Sequence, residues 1–210
     1  MQDFKQMTVT ELSELTASNS PLPGGGSISA MAGAYAASLV CMVAKITLGK
    51  PTYEAVHGAM RELDAQAEAL RVKLLDGIRR DSASFDSFMQ ALALPKGTDE
   101  EKQARQDAMQ AGLKRASEVP LTSAQDNLAV LKLSLEAVKH GNLNTLSDGL
   151  VGSFLARSAM MGAISNVRIN LSGIKDEAFT ARMREACDQL EAEAHRLEEV
   201  AVQAAKAREA

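Results

Sequence analysis

Apolar positions recur every three or four residues along most of the chain, which is the spacing of one buried helix face. The longest series runs from residue 54 to residue 92 and projects within about 40° of a common direction. Its members are Val56, Met60, Leu63, Ala67, Leu70, Leu74, Ile78, Phe85, Phe88 and Leu92. No β-branched run alternates with polar residues as a strand would. The pattern predicts an all-α protein in which this segment is one long helix or two nearly collinear helices.

Turn residues divide the rest of the chain into further helices. Pro95 and Gly97 end the long helix. A polar helix over residues 100–117 is expected to end near Pro120, and the next helix ends at residues 139–141, Lys-His-Gly. Further helices are expected near residues 12–15, over 28–48, from about 147 to 171, and from about 176 onward. We therefore expect an antiparallel bundle of six or seven helices forming a single domain over residues 1–210.

The helix over residues 28–48 is long enough to span a bilayer and carries a single charge, Lys45. Ala, Gly and Ser dominate it, whereas membrane spans rely on larger apolar side chains. We expect a buried helix of a soluble bundle and no membrane contact. Small residues recur on one face of this helix and allow a close neighbour, from the same chain or from a second subunit. They are Ala30, Gly33, Ala37, Cys41 and Ala44.

Composition narrows the possible partners. Aromatic residues make up 3% of the chain and the net charge is −4, so neither base stacking nor a phosphate-binding surface is indicated and nucleic acid is excluded as a partner. Cys41 and Cys187 have no disulfide spacing, and the N-terminus lacks a secretory pattern, so we expect a cytoplasmic protein. His57, His140 and His195 lack neighbours at zinc-ligand spacing, so no metal is expected.

Asp81 fills the seven-residue gap between Ile78 and Phe85 and therefore places a carboxylate on the apolar face. An ionised carboxylate is costly there unless it is paired, and burial raises its pKa toward values that suit proton transfer. Asp81 is thus either a catalytic acid–base group or a structural residue. In the structural interpretation the helix breaks near Arg79 and Arg80, and Asp81 caps the next segment or pairs with an arginine.

A proline- and glycine-rich turn precedes the small-residue helix. Its glycines admit backbone angles that other residues avoid, and the unpaired N–H groups of a helix N-terminus favour an anion. The turn matches neither a P-loop nor a dinucleotide-binding pattern. It either binds an anionic ligand group or is a tight packing element. Its central residues are Gly24, Gly25, Gly26 and Ser27.

Asp148, Asn166 and Asn170 lie on one face of the predicted helix over residues 147–171. Asp148 and Asn166 are about 27 Å apart along such a helix, so they cannot share a pocket on it. Either Asp148 caps the helix start while the asparagines bond to neighbouring carbonyls, or the two helix ends serve different pockets.

Short motifs spread over most of the chain form an ordered set. They are PGGGS at 23–27, GA at 33–34, MV at 42–43, TLGK at 47–50 with Tyr53, DSASF at 81–85, LPK at 94–96, VPL at 119–121, GN at 141–142, SD at 147–148, NV at 166–167 and INL at 169–171. In this order the chain resembles the cyclodeaminase/cyclohydrolase family of folate enzymes. Lys45 stands where members often carry Asn, and Ser84 replaces a common Ala.

The resemblance implies an all-helical homodimer with a reduced-folate site in a cleft, no metal, and no cofactor beyond the tetrahydrofolate-derived substrate. Asp81 matches the family's aspartate, which implies a catalytic role. The substrate-binding positions implied are Gly24, Gly25, Gly26, Ser27, Lys45, Lys50, Tyr53, Asn144, Ser147, Asp148 and Asn170.

Two family reactions are expected as alternatives. In the first, a methenyltetrahydrofolate cyclohydrolase adds water to 5,10-methenyltetrahydrofolate and yields 10-formyltetrahydrofolate; residues 94–102 resemble the loop of stand-alone bacterial cyclohydrolases. In the second, a formiminotetrahydrofolate cyclodeaminase closes the ring with loss of ammonia; the INL motif at 169–171 is similar to that of cyclodeaminases. A helical interaction module without catalysis is the remote alternative. We expect the cyclohydrolase.

Overall fold

The computed structural model describes residues 3–209 and contains no strand within that range. Its six α-helices are α1 (Val9–Thr16), α2 (Gly25–Leu48), α3 (His57–Leu92), α4 (Asp99–His140), α5 (Leu146–Leu171) and α6 (Glu177–Glu209). Short 3₁₀ helices lie at Phe4–Gln6, Pro51–Val56 and Leu143–Thr145. The predicted all-α helical bundle is confirmed.

Helix α2 lies at the centre of the bundle and packs against α3, α4 and α5. It is long and apolar enough to cross a membrane by length and composition, but 61% of its most apolar window is buried against the other helices. Its small-residue face is buried within the chain, so intrachain packing explains that face. A Cβ added at Gly33 would overlap with Asn127 Oδ1, which shows how closely α2 approaches α4.

The main apolar core contains residues from every helix between α2 and α6, with Leu131, Met160 and Ile164 fully buried in it. Ion pairs connect neighbouring helices outside this core. Lys73 Nζ on α3 lies 2.6 Å from Asp126 Oδ1 on α4, and Arg168 on α5 bonds to two carboxylates of α6. Helices α3, α4 and α5 form three walls of the site described below.

Helix α3 is continuous from His57 to Leu92, as the apolar series predicts. Arg79 and Arg80 do not break it; both pair with Asp76, at 3.1 and 3.4 Å. The structural interpretation of Asp81 that required a break is therefore wrong. Asp81 projects from the same face as Ile78, toward the start of α2.

Helix α4 continues through Pro120, so the expected helix end at this residue is wrong and the α-helices number six within residues 3–209. Proline lacks the N–H that would bond to the carbonyl four residues earlier, which normally interrupts a helix. Here the carbonyl of Ala116 accepts a hydrogen bond from Asn170 Nδ2 at 2.8 Å instead. A tertiary contact from α5 thus satisfies the group that the proline leaves unpaired.

Candidate active site

A cleft of about 260 Å³ lies where the N-terminus of α2 meets α3, α4 and α5. Small-molecule sites usually measure roughly 300–1,000 Å³, so this cleft suits one ring system better than a long ligand. The lining residues are Pro21, Leu22, Gly24, Gly25, Gly26, Asp81, Ser84, Phe85, Phe88, Leu113, Ala116, Asn166, Ile169 and Asn170. Among these, Asp81 alone has an ionisable side chain.

The Asp81 carboxylate lies at the N-terminus of α2. The Ser27 hydroxyl donates a hydrogen bond to Asp81 Oδ2 at 2.8 Å, across 54 residues of sequence. The N-cap of α2 is Gly24, which has no side chain to cap the helix. Asp81 therefore supplies a carboxylate where a capping side chain would normally stand. Within residues 3–209 it forms no ion pair, so its expected alternative pairing with an arginine is wrong.

Two opposing effects act on the pKa of Asp81. Burial raises the pKa, and hydrogen bonds from the hydroxyl and backbone of Ser27 lower it; burial is the larger effect, so the pKa is raised overall. The carboxyl group therefore holds a proton at higher pH than an ordinary aspartate. When ionised, it is a half-buried charge without a cationic partner among residues 3–209.

The glycines of the turn act through their small size. No glycine within residues 3–209 has a positive φ, so the expectation that they supply unusual backbone angles is wrong. A Cβ at Gly26 would overlap with Asp81 Oδ1 and lie 2.7 Å from its Cγ. A Cβ at Gly25 would lie 3.3 Å from Asn166 Nδ2. The first turn of α2 thus approaches α3 and α5 too closely for side chains at these positions.

Asn166 and Asn170 form the α5 wall of the cleft. Asn166 Nδ2 donates to the carbonyl of Gly162 at 2.8 Å, and Asn170 Nδ2 donates to the carbonyls of Ala116 and Asn166 at 2.8 and 3.0 Å. The alternative in which the asparagines bond to neighbouring carbonyls is confirmed. Its other half is wrong, because the N-cap of α5 is Thr145, whose side chain makes no capping hydrogen bond. Asp148 lies in the first turn and is not the cap.

The structure groups Gly24, Gly25, Gly26, Ser27, Asp81 and Asn170 around this cleft. It adds lining residues that were not predicted as site positions: Ser84, Phe85, Phe88, Leu113, Ala116, Asn166 and Ile169. Phe85 and Phe88 follow Asp81 by four and seven residues on α3, so helical spacing was a signal for them. Nothing in the local pattern of α4 indicates that Leu113 and Ala116 face the same space.

Six other predicted binding positions lie toward the opposite end of the bundle: Lys45, Lys50, Tyr53, Asn144, Ser147 and Asp148. The resemblance implies substrate binding at Lys45 and Lys50, but within one chain neither lysine lies beside the glycine turn. Helix α2 is unbroken between Gly25 and Lys45, and 20 residues of α-helix span about 30 Å.

The contacts of these distant residues are local. Lys45 Nζ lies 3.4 Å from Asp64 Oδ1, and Tyr53 Oη accepts a hydrogen bond from the N–H of Leu143 at 3.1 Å. The N–H of Asn144 donates to Asn142 Oδ1 at 3.0 Å. The Tyr53 contact joins the segment after α2 to the segment before α5, and the Lys45 contact joins α2 to α3.

Other reactive groups do not contribute to the cleft. Cys41 and Cys187 are buried, and burial raises the pKa of the Cys41 thiol to about 11. Neither is poised as a thiolate nucleophile. Within residues 3–209, no group of three or more His, Cys, Asp or Glu side chains is placed to hold a metal ion. The chemistry of the cleft therefore centres on Asp81 and its Ser27 partner.

Comparison with known proteins supports the family resemblance that the motifs around this cleft indicate. The family model described as formiminotransferase-cyclodeaminase matches residues 8–189. The chain belongs to this family. The matched range contains the glycine turn, Asp81 and both asparagines, and the resemblance inferred from the motifs is confirmed.

Individual relatives of the family differ in length and in name. A methenyltetrahydrofolate cyclohydrolase of Methylorubrum extorquens is 39% identical over 183 residues, which cover 87% of this chain and 88% of the relative. A formimidoyltransferase-cyclodeaminase of Gallus gallus is 42% identical over 163 residues, but these cover 76% of this chain and 30% of that protein. The crystal structure of a formiminotetrahydrofolate cyclodeaminase from Thermotoga maritima superposes with a TM-score of 0.86 at 28% identity, covering 97% and 98% of the two chains.

Gly26→Ala should lower turnover by about 10²-fold, because the new Cβ would overlap with Asp81 Oδ1 and displace the carboxylate, and misplacing a reacting group costs about that much. The matched control is Gly58→Ala, since a Cβ at Gly58 meets nothing within 4 Å. Turnover and circular dichroism should be measured on both. A folded Gly26→Ala enzyme with the turnover of the control would show that activity does not depend on the observed position of the Asp81 carboxylate.

Asp81→Asn should be more stable than the parent near neutral pH. Because the folded-state pKa of Asp81 is raised, the ionised carboxylate destabilises the fold above that pKa, and this penalty is lost as the pH falls through it. The stability difference should therefore shrink on acidification. Melting temperatures of both proteins across the acid range measure it. A parent that is the more stable at neutral pH would show that capping of α2 outweighs burial.

Proposed function

We propose that this chain is a methenyltetrahydrofolate cyclohydrolase, which adds water to 5,10-methenyltetrahydrofolate and forms 10-formyltetrahydrofolate. The observation that carries the proposal is the half-buried Asp81 carboxylate in a small cleft, which bonds to Ser27 and forms no ion pair within residues 3–209. A buried carboxylate without a cation is unfavourable, and the amidinium of the methenyl group supplies that cation when the substrate binds. The approach of this cation would also lower the pKa of Asp81 and favour its basic form.

The reaction needs a group that first takes and then returns a proton. As the oxygen of water bonds to the amidinium carbon, Asp81 takes one of its protons, and a neutral tetrahedral carbon forms between N5 and N10. Protonated Asp81 then gives the proton to N5 while the bond from this carbon to N5 breaks. The remaining hydroxyl proton passes to solvent as the formyl carbonyl forms on N10. One proton is released for each substrate cation and water consumed.

The walls of the cleft suit a flat ring. Phe85, Phe88 and Leu113 supply apolar surface, and Ile169 stands at the edge with 72% of its surface exposed. Because the cleft measures about 260 Å³, it holds the pterin end of a folate, and the aminobenzoyl-glutamate end extends outside. Removing water from the pterin end strengthens the interaction between Asp81 and the amidinium.

The cyclodeaminase reaction is the second candidate. Two comparisons support it. The Thermotoga maritima structure that shares this fold is a cyclodeaminase, as are the animal relatives by name. The reaction passes through the same kind of tetrahedral carbon, with ammonia as the leaving group, so Asp81 would serve it in the same way. The cyclohydrolase is favoured because the relative of that name matches over nearly its whole length, whereas the chain spans about a third of the animal proteins.

Purified protein should be added separately to methenyltetrahydrofolate and to formiminotetrahydrofolate. Loss of the near-ultraviolet methenyl band in the first reaction supports the cyclohydrolase. Appearance of that band together with ammonia in the second supports the cyclodeaminase. If neither substrate reacts and no reduced folate binds, the proposed function is wrong and a helical interaction module takes its place.

Several further features belong to the same proposal. We propose that the enzyme works in the cytoplasm, without a metal and without a cofactor other than its folate substrate. Acid–base chemistry by one carboxyl group is sufficient for the reaction described above.

Asp81→Asn should lower kcat by about 10²–10⁴-fold while folate affinity changes little, because Asn is nearly isosteric but cannot exchange a proton. The control is Asp107→Asn, which removes an exposed carboxylate on α4 and should keep parental turnover. Steady-state kinetics on the preferred substrate measure both. An Asp81→Asn enzyme within about threefold of the parent, against that expectation, would exclude the acid–base role.

We also propose that the chain forms a homodimer. The supporting observation is a set of large apolar side chains left exposed on α2 and α3, including Tyr35 at 53% and Val72 at 53%. Because α2 and α3 pack against each other, these side chains share one side of the bundle, and contiguous exposed apolar surface is typical of surfaces that associate. Light scattering at micromolar concentration should give twice the 22.3 kDa mass of the chain. An active species with the mass of one chain would contradict the homodimer.

A further inference from the structure

Pro120 removes the helical hydrogen bond of one backbone carbonyl of α4, beside the cleft. The proline is buried within the helix and has no N–H, so the carbonyl of Ala116 lacks its partner four residues later. Ala116 lines the cleft, so the side chain that bonds to its carbonyl in place of the helical N–H also lies at the cleft.

Asn170 satisfies this carbonyl and is oriented by it. Its Nδ2 donates to the carbonyl oxygens of Ala116 and Asn166, which uses both amide hydrogens. A backbone carbonyl can only accept, so the NH₂ group must face these two oxygens and the amide cannot be reversed. Asn170 Oδ1 must therefore point away from them. It accepts no hydrogen bond from residues 3–209 and is not enclosed in the protein.

We propose that Asn170 Oδ1 is a specificity-determining acceptor for an N–H group of the substrate's pterin ring, and that Pro120 is a positioning residue that keeps Asn170 in this orientation. The inference rests on the proposed function, since a reduced pterin carries ring and exocyclic N–H groups. An asparagine free to rotate would offer a donor or an acceptor. The contact with Ala116 removes the donor, so the site selects ligands that donate at this point.

The first measurement is the dissociation constant of 5-formyltetrahydrofolate, a stable reduced folate, for the parent and for Asn170→Ala. Loss of one acceptor leaves a ligand donor unpaired, and affinity should fall by about tenfold to a hundredfold. In kinetics KM should rise while kcat stays within about threefold, the opposite of the change expected for Asp81→Asn. Unchanged affinity in a folded Asn170→Ala protein would overturn the acceptor role.

The second measurement isolates Pro120. Pro120→Ala restores the N–H that bonds to Ala116, so the helix should be at least as stable as in the parent, yet folate affinity should fall about threefold to tenfold because Asn170 loses its alignment. A merely structural proline predicts unchanged affinity, and that result would overturn the positioning role. Thr122→Ala is the matched control, because its hydroxyl bonds only within α4, to the carbonyl of Glu118.

The double variant Pro120→Ala/Asn170→Ala completes a double-mutant cycle with the two single variants. If Pro120 acts through Asn170, the double variant should bind folate no more weakly than Asn170→Ala alone; additive losses would overturn the coupling. The double variant also tests Asn170 in a protein that should remain folded. The N–H restored at position 120 bonds to the Ala116 carbonyl, so the melting temperature of the double variant should exceed that of Asn170→Ala.

A ligand control separates this inference from the proposed function. p-Aminobenzoyl-glutamate lacks the pterin ring, so parent and variants should bind it equally; a loss equal to that for the folate would overturn the pterin contact. A parent protein that binds no reduced folate would contradict the proposed function itself. A parent that binds the folate, with variants that bind it equally well, would contradict only the role of Asn170.

Discussion

The contact between Ser27 and Asp81 determines how the ends of the helices meet at the cleft. One carboxylate, carried by α3, takes the place of the missing N-cap side chain of α2, and Gly26 has no Cβ to obstruct it. The same group is the ionisable side chain of the cleft. Its stabilising interactions with the helix N-terminus oppose the cost of burying it, and burial prevails. The result is a carboxyl group with a raised pKa whose position is held by the hydroxyl and backbone of Ser27 on a neighbouring helix.

The cleft forms where several helices leave backbone groups without helical partners. Helix α2 contributes its N-terminal N–H groups, and α4 contributes the Ala116 carbonyl that Pro120 leaves free. Polar side chains from other helices meet these groups, namely Asp81 at α2 and Asn170 at α4. Polar groups inside a helical bundle must find partners, so the interruptions of regular structure and the polar residues of the site occur together.

The cyclohydrolase and cyclodeaminase reactions place similar demands on such a site. Both act on one carbon between two nitrogens, and both need a proton moved from one heteroatom to another. Asp81 can do this for either reaction, since the cleft presents a single ionisable group. The difference between the reactions lies in whether water attacks that carbon or ammonia leaves it. Residues that admit or exclude water at the mouth of the cleft, such as Ile169, are therefore better candidates for the distinction than Asp81.

Helical periodicity by itself determined the all-α class and the inward position of Asp81, because these depend on spacing within one helix. With the turn residues after Leu92 it also located α3, but it left open whether this segment forms one helix or two. The ordered motifs identified the family. The local rule that proline ends a helix failed at Pro120, because Asn170, 50 residues later, supplies the missing hydrogen-bond partner. The resemblance placed Lys45 and Lys50 with the glycine turn in one substrate site, although the length of α2 separates them within one chain. Tertiary structure alone decided which helix ends meet, because hydrogen bonds such as Ser27 to Asp81 join residues whose separation along the chain carries no information about distance.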